Sequence, residues 1–117
     1  MKEFDSPVNV SNIHDEYVRT HIEKNGCCGE KELIKLYAYT LLSYHRVVHL
    51  DTDVIILANL DELLDLDHSL VFTTDPNMQG KSKVPPVQGG FLLIRPSMQV
   101  YHDLVNVVLN ANFVPGR

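Results

Sequence analysis

Between residues 30 and 44 the apolar positions Leu33, Ile34, Tyr37, Ala38, Leu41 and Leu42 recur every three or four residues, with Lys31 and Lys35 on a more polar side. That spacing predicts a helix. After a short turn at His45-Arg46 comes Val47–Leu50, an apolar run that predicts a strand, and so brief a helix-to-strand connection is typical of an α/β layer. A second apolar run, residues 54–57, is short enough to continue the strand or to lie as a buried extended segment. Asn59 then reads as the N-cap of a short helix over 60–64, with Asp61 and Glu62 in its first turn complementing the helix dipole. Residues 69–74 predict another strand, 75–83 a polar loop containing Gly80, and 91–94 a strand without alternation, hence buried on both faces. Pro96-Ser97 opens a last helix whose apolar stripe is Val100, Leu104, Val107 and Val108. Residues 1–28 lack sustained periodicity and read as loop with at most one short helix near 15–24, punctuated by Gly26 and Gly29.

The chemistry concentrates where the first strand ends. Asp51 and Asp53, separated by Thr52, come directly after Val47–Leu50. Strand side chains alternate between faces, so a strand that persisted would put His49, Asp51 and Asp53 on one side. Two adjacent carboxylates repel, and a hard divalent cation such as Mg2+ or Mn2+ between them removes that cost, because oxygen ligands suit those ions. Open α/β sheets bind ligands beyond the carboxyl ends of their strands, a location that suits a phosphate-bearing substrate. The plain alternative is that both acids merely terminate the strand and cap the next segment. His49 is expected to be a satisfied strand histidine rather than a third ligand, and the other five histidines show no ligand spacing.

Composition narrows the partners. The chain has 117 residues, 44% of them hydrophobic, which fits one domain or part of one. A formal charge of -5 without a dense Lys/Arg cluster argues against nonspecific binding to nucleic acid or anionic membrane. No apolar run is long enough to span a bilayer, and the start Met1-Lys2-Glu3-Phe4-Asp5 is not a signal peptide. Cys27 and Cys28 are chain neighbours and form neither a disulfide framework nor a C-x-x-C metal site. The sequon Asn9-Val10-Ser11 carries little weight, since such matches arise by chance.

Gln88-Gly89-Gly90 precedes the last strand, and its glycines allow positive φ or a close backbone approach to a ligand; a tight turn entering the strand is the simpler reading. In order, the chain carries Lys35-Leu36, Leu50-Asp51-Thr52-Asp53, Asn59-Leu60-Asp61-Glu62-Leu63, a strand ending near Asp75-Pro76, and Gln88-Gly89-Gly90 leading to Pro96-Ser97. Over about residues 30–110 this series resembles the glycogenin-like, family 8 retaining glycosyltransferases, whose pattern is K-L, Y-x-R-V-x-x-L-D-x-D, N-x-D-E-L and a small-residue triplet before a strand and P-S. The resemblance implies a partial Rossmann-like GT-A domain of α/β class spanning 1–117. It also implies a UDP-sugar donor, Mn2+ (or Mg2+), and a saccharide, protein or lipid acceptor. Asp51 and Asp53 match the metal- and diphosphate-binding pair, Lys35 the lysine that approaches the donor, and Gln88, Gly89 and Gly90 the triplet beside the donor sugar. No catalytic nucleophile is assigned. Members of the family work in the cytosol or in the Golgi and secretory pathway.

The pattern also departs from the family. The triplet is often N-S-G, so Gln88-Gly89-Gly90 keeps an amide but lacks a hydroxyl, which bears on sugar preference. A downstream D-Q-G segment, an H-x-x-G-x-x-K element and the first βα unit have no counterpart here, so a central fragment is expected. Two other readings compete. In a haloacid-dehalogenase-like phosphatase Asp51 would be the nucleophile and Asp53 the general acid, with the Thr73-Thr74 strand end beside them; Val54 and Ile55 depart from that pattern. A noncatalytic fragment that binds metal or nucleotide sugar is the second.

Overall fold

The computed structural model describes residues 4–24, 28–75, 77 and 86–111. Three strands, β1 (Val47–Leu50), β2 (Leu70–Thr74) and β3 (Val87–Ile94), form one sheet in the order β1-β3-β2. β3 is antiparallel to both neighbours, so β1 and β2 run parallel to each other with β3 between them. The mixture of helices with a small sheet fits a partial α/β domain, although neighbouring described strands pair only antiparallel, not in the parallel manner of a Rossmann core. This topology brings the carboxyl ends of β1 and β2 and the start of β3 to the same end of the sheet.

The helix predicted over 30–44 is a 3-10 helix, Gly29–Thr40, and the chain turns at 41–45. At three residues per turn, side chains at i and i+3 lie in rows. Tyr39 is the buried residue of this helix, while Leu41 and Leu42, expected in the apolar stripe, lie past its end and are exposed. A row also sets Glu32 beside Lys35.

Arg46, directly before β1, reaches across to the next element. Its guanidinium donates to the carbonyls of Leu64 (3.3 Å), Leu66 and His68 (2.6 Å). These carbonyls end and follow α2 (Asp61–Leu64), so one cation fixes the crossover from β1 to β2. The helix starts one residue later than expected, so Leu60, which offers no side-chain cap, stands at the N-cap in place of Asn59. Asn59 Oδ1 still accepts from the Asp61 amide at 2.8 Å in a turn just ahead of the helix.

The run 54–57 is neither strand nor buried. Asp51 O accepts from Val54 N at 3.1 Å, turning the chain out of the sheet. Beyond that turn Ile55 is 79% and Leu57 92% exposed.

β3 begins earlier than the expected residue 91 and takes in Gln88-Gly89-Gly90. Leu93 and Ile94 are fully buried, whereas Phe91 and Leu92 are half-buried. Ser97 Oγ accepts from Val100 N at 3.3 Å and caps α3 (Met98–Asn110) as predicted. Of the expected α3 stripe, Val100, Leu104 and Val108 are half-buried but Val107 is 66% exposed, and Val105 and Leu109 join Val108 against the core.

Their partner is the N-terminal segment, for which the sequence predicts mostly loop. It carries a 3-10 turn, Val10–Asn12, and α1 (Glu16–Lys24), the latter close to the short helix expected. Val8, Val10 and Ile13 are buried and form a cluster with Val18, Ile22, Leu33 and α3. His14 N donates to Leu109 O at 2.8 Å, tying this segment to the end of α3. The glycine-punctuated stretch is described only from Cys28 on, and the polar loop 75–83 only at Asp75 and Asn77; their other residues, Gly26 and Gly80 included, lie outside the described residues.

Candidate functional site

β1 ends at Leu50, paired with Phe91, and the next amide, Asp51 N, donates to Gly90 O at 2.9 Å. The hydrogen bond sets the Asp51 backbone beside the glycine pair. On the opposite side of β3 the register breaks: Phe72 pairs with Leu92, but its neighbour Thr73 pairs with Gln88. The glycines therefore sit in a bulge, a device that re-aims backbone groups and is common beside active sites.

Inside the bulge, Gly90 N donates to Gln88 Oε1 at 2.6 Å. A Cβ on Gly90 would stand 2.9 Å from that oxygen and 3.5 Å from Asp51 Oδ2. A Cβ on Gly89 would stand 3.3 Å from Lys35 Nζ. Two bare backbone positions thus let an amide and an ammonium close on the strand end. The triplet is not the tight turn that its composition suggested.

Lys35 reaches this point from the 3-10 helix. Its Nζ lies 3.1 Å from Asp51 Oδ1 and 2.7 Å from Glu32 Oε2, and it donates to Gly89 O at 3.5 Å. An ammonium has three hydrogens, and these three oxygens take them. Burial works against the charged form of Lys35, but the bonds to Glu32 and Asp51 outweigh it and hold its pKa above the ordinary lysine value. The hydrogen bond from Lys35 holds the Glu32 carboxyl below its usual range. It does the same for Asp51, where a bond from His49 adds to it against the effect of burial.

His49 and Asp51 share a face, as strand alternation requires, and His49 Nε2 lies 3.2 Å from Asp51 Oδ1. His49 is thereby a partnered, half-buried histidine that orients a carboxylate. Asp53 does not join them. The strand ends before it, and it sits exposed in the turn closed by Val54 N. Among the described residues no group of three or more His, Cys, Asp or Glu side chains converges as a metal cage.

The structure therefore brings together Lys35, Asp51, Gln88, Gly89 and Gly90, and leaves Asp53 on the adjoining turn. It adds Glu32, which sequence reasoning missed; the signal was its i,i+3 spacing from Lys35, the distance at which opposite charges meet on a helix. A cleft of about 1220 Å³ opens along the 3-10 helix, lined by Phe4, Val10 and Ile22 at one end and Lys35, His49 and Asp51 at the other. That volume accommodates a ligand of nucleotide size.

No family model matches the chain. Similarity to individual proteins is nevertheless measurable. Over 100 residues, 85% of the chain, it is 30% identical to PGSIP7 of Arabidopsis thaliana, a glucuronosyltransferase by name, and covers 18% of that protein. Over 75 residues, 64% of the chain, it is 29% identical to glycogenin-1 of Homo sapiens, covering 20% of it. The figures for glycogenin-1 of Oryctolagus cuniculus are 29% identity and 21% of its length. The chain thus spans about a fifth of the curated relatives it matches. These similarities support a glycogenin-like glycosyltransferase segment.

Proposed function

We propose that the protein is a retaining hexosyltransferase of GT-A type that moves a sugar from a UDP-sugar donor to a saccharide, protein or lipid acceptor, and that residues 1–117 form part of its donor-binding domain. The observation that carries this reading is the meeting of Lys35, Asp51 and the Gln88-Gly89-Gly90 bulge at one end of the sheet. Three separate sequence motifs converge there, 16 residues apart in one pair and 54 in another.

The donor set fits a hard divalent ion, Mn2+ or Mg2+, in kind. Asp51 is a partly exposed carboxylate at a strand end, and Asp53 is a second, exposed one two residues on. Such ions bind through one or two carboxylates, with water and substrate phosphate oxygens filling the remaining positions. When bound, the ion supplies positive charge to a departing diphosphate. The chain's own contribution is the Lys35 ammonium, partly withdrawn from water and held next to Asp51, which suits it to stabilise charge as it develops on the leaving oxygen. Gln88, whose amide oxygen is held by Gly90 N, is in this reading the residue that donates from its NH2 to the donor sugar.

No observation favours the phosphatase reading. β3 separates β1 from β2, so Thr73 and Thr74 do not flank Asp51, and a nucleophilic Asp51 would be engaged by Lys35 and His49.

Asp53→Asn tests the assignment. Asp53 is exposed in a turn, so the substitution is expected to change stability by no more than about 0.5 kcal/mol. Metal-dependent UDP release from UDP-sugars, followed in the natural full-length protein, is expected to vanish. Full activity in that variant would remove the two aspartates from the site.

A further inference from the structure

Lys35 already occupies the place at Asp51 that a bound cation needs. Its ammonium lies 3.1 Å from Asp51 Oδ1 and 3.5 Å from Oδ2, so it sits across the carboxylate rather than at its edge. Its other hydrogens are taken by Glu32 at 2.7 Å and Gly89 O at 3.5 Å. The shortest of these contacts is to Glu32, a residue that none of the sequence motifs includes. Asp51 is thus neutralised from within, and Lys35 is shared between two acids.

Resting on the donor-site reading above, we infer that Lys35 is a displaceable internal cation and that Glu32 is the positioning residue that makes it displaceable. A divalent ion and the Lys35 ammonium compete for the same Asp51 oxygens. Glu32 offers Lys35 an alternative anion, which lowers the cost of releasing Asp51. A nucleoside diphosphate draws Lys35 off Asp51 as well, so diphosphate and divalent ion assist each other's binding beyond their direct contact. By linkage the assistance is reciprocal.

The two residues predict opposite signs. Mn2+ binding to this chain is read from the electron paramagnetic resonance signal of free Mn2+, without turnover. Lys35→Met removes the internal cation and keeps the alkyl stem, so Mn2+ binding alone tightens about three- to five-fold, the scale of a partly exposed ion pair. Glu32→Gln leaves Lys35 with Asp51 as its only carboxylate among the described residues, so Mn2+ binding alone weakens by about the same factor. The enhancement of Mn2+ binding by UDP falls in Lys35→Met. Glu32 is partly exposed, so Glu32→Gln tests the inference even should Lys35→Met fold poorly. Equal or weaker Mn2+ binding in folded Lys35→Met, or unchanged or tighter binding in Glu32→Gln, overturns the inference and leaves the donor site standing. Absence of Mn2+ binding in all three proteins overturns the metal reading and the inference with it.

Discussion

Gly90 shows what a single residue contributes. Its amide is held by Gln88 Oε1, and the space where a side chain would begin is occupied by that same oxygen. Because the obstacle is the far end of a flexible side chain, Gly90→Ala is expected to fold while losing one hydrogen bond, worth about 1 kcal/mol. Thermal denaturation should register a small decrease, and donor-sugar preference should change, because Gln88 is expelled from its place. An unchanged sugar profile would detach Gln88 from sugar selection. Residues of this kind are legible in sequence by type: Asp51, Lys35 and the glycines stand out there, and they do meet. Asp53 falls beside Asp51 only if the strand continues, and a four-residue turn defeats that assumption. Glu32 escapes notice because an acid on a polar helix face is indistinguishable from a solvated one until its row is known.

Among the elements, the crossover from β1 to β2 depends on Arg46. Its guanidinium holds three alternate carbonyls, those of Leu64, Leu66 and His68, and α2 itself is only a four-residue helix. Arg46→Met is therefore expected to destabilise the fold by about 2 kcal/mol, since bonds to a charged donor are lost and the carbonyls must find water. Urea denaturation measures this; a loss under about 0.5 kcal/mol, the range of an ordinary surface substitution, would show that the crossover holds without the clamp. Periodicity locates nearly every element, yet it errs where it assumes a period of 3.6. The segment 29–40 follows three residues per turn and buries Tyr39, and because it stops at Thr40, Leu41 and Leu42 fall in the turn beyond it and are exposed. In α3 the apolar residues outnumber the positions of one face, so Val107 and Val105 cannot be told apart before a partner is known.

For the molecule as a whole, the largest surprise is the N-terminal segment. Short apolar pieces between polar residues give no period, but Val8, Val10 and Ile13 close over α3 and the 3-10 helix. Ile13 is 0% exposed, and Ile13→Ala is expected to cost about 2–5 kcal/mol through lost contact and a cavity. Since this segment lines the cleft that ends at Lys35 and Asp51, the variant should also weaken nucleotide binding, which calorimetry with UDP would detect. Fold class is readable from the alternation of helices and strands. Strand order is not, because the antiparallel insertion of β3 between β1 and β2 depends on pairings far apart in the chain.

The central claim, that a nucleotide diphosphate and a divalent ion bind at the end of β1, is tested most directly by two-dimensional amide NMR of this chain with substoichiometric Mn2+ and then UDP. Paramagnetic broadening is predicted to centre on residues 49–54, and with UDP to strengthen and spread to 88–91. A well-dispersed spectrum that Mn2+ leaves unchanged, or broadening centred elsewhere, would contradict it.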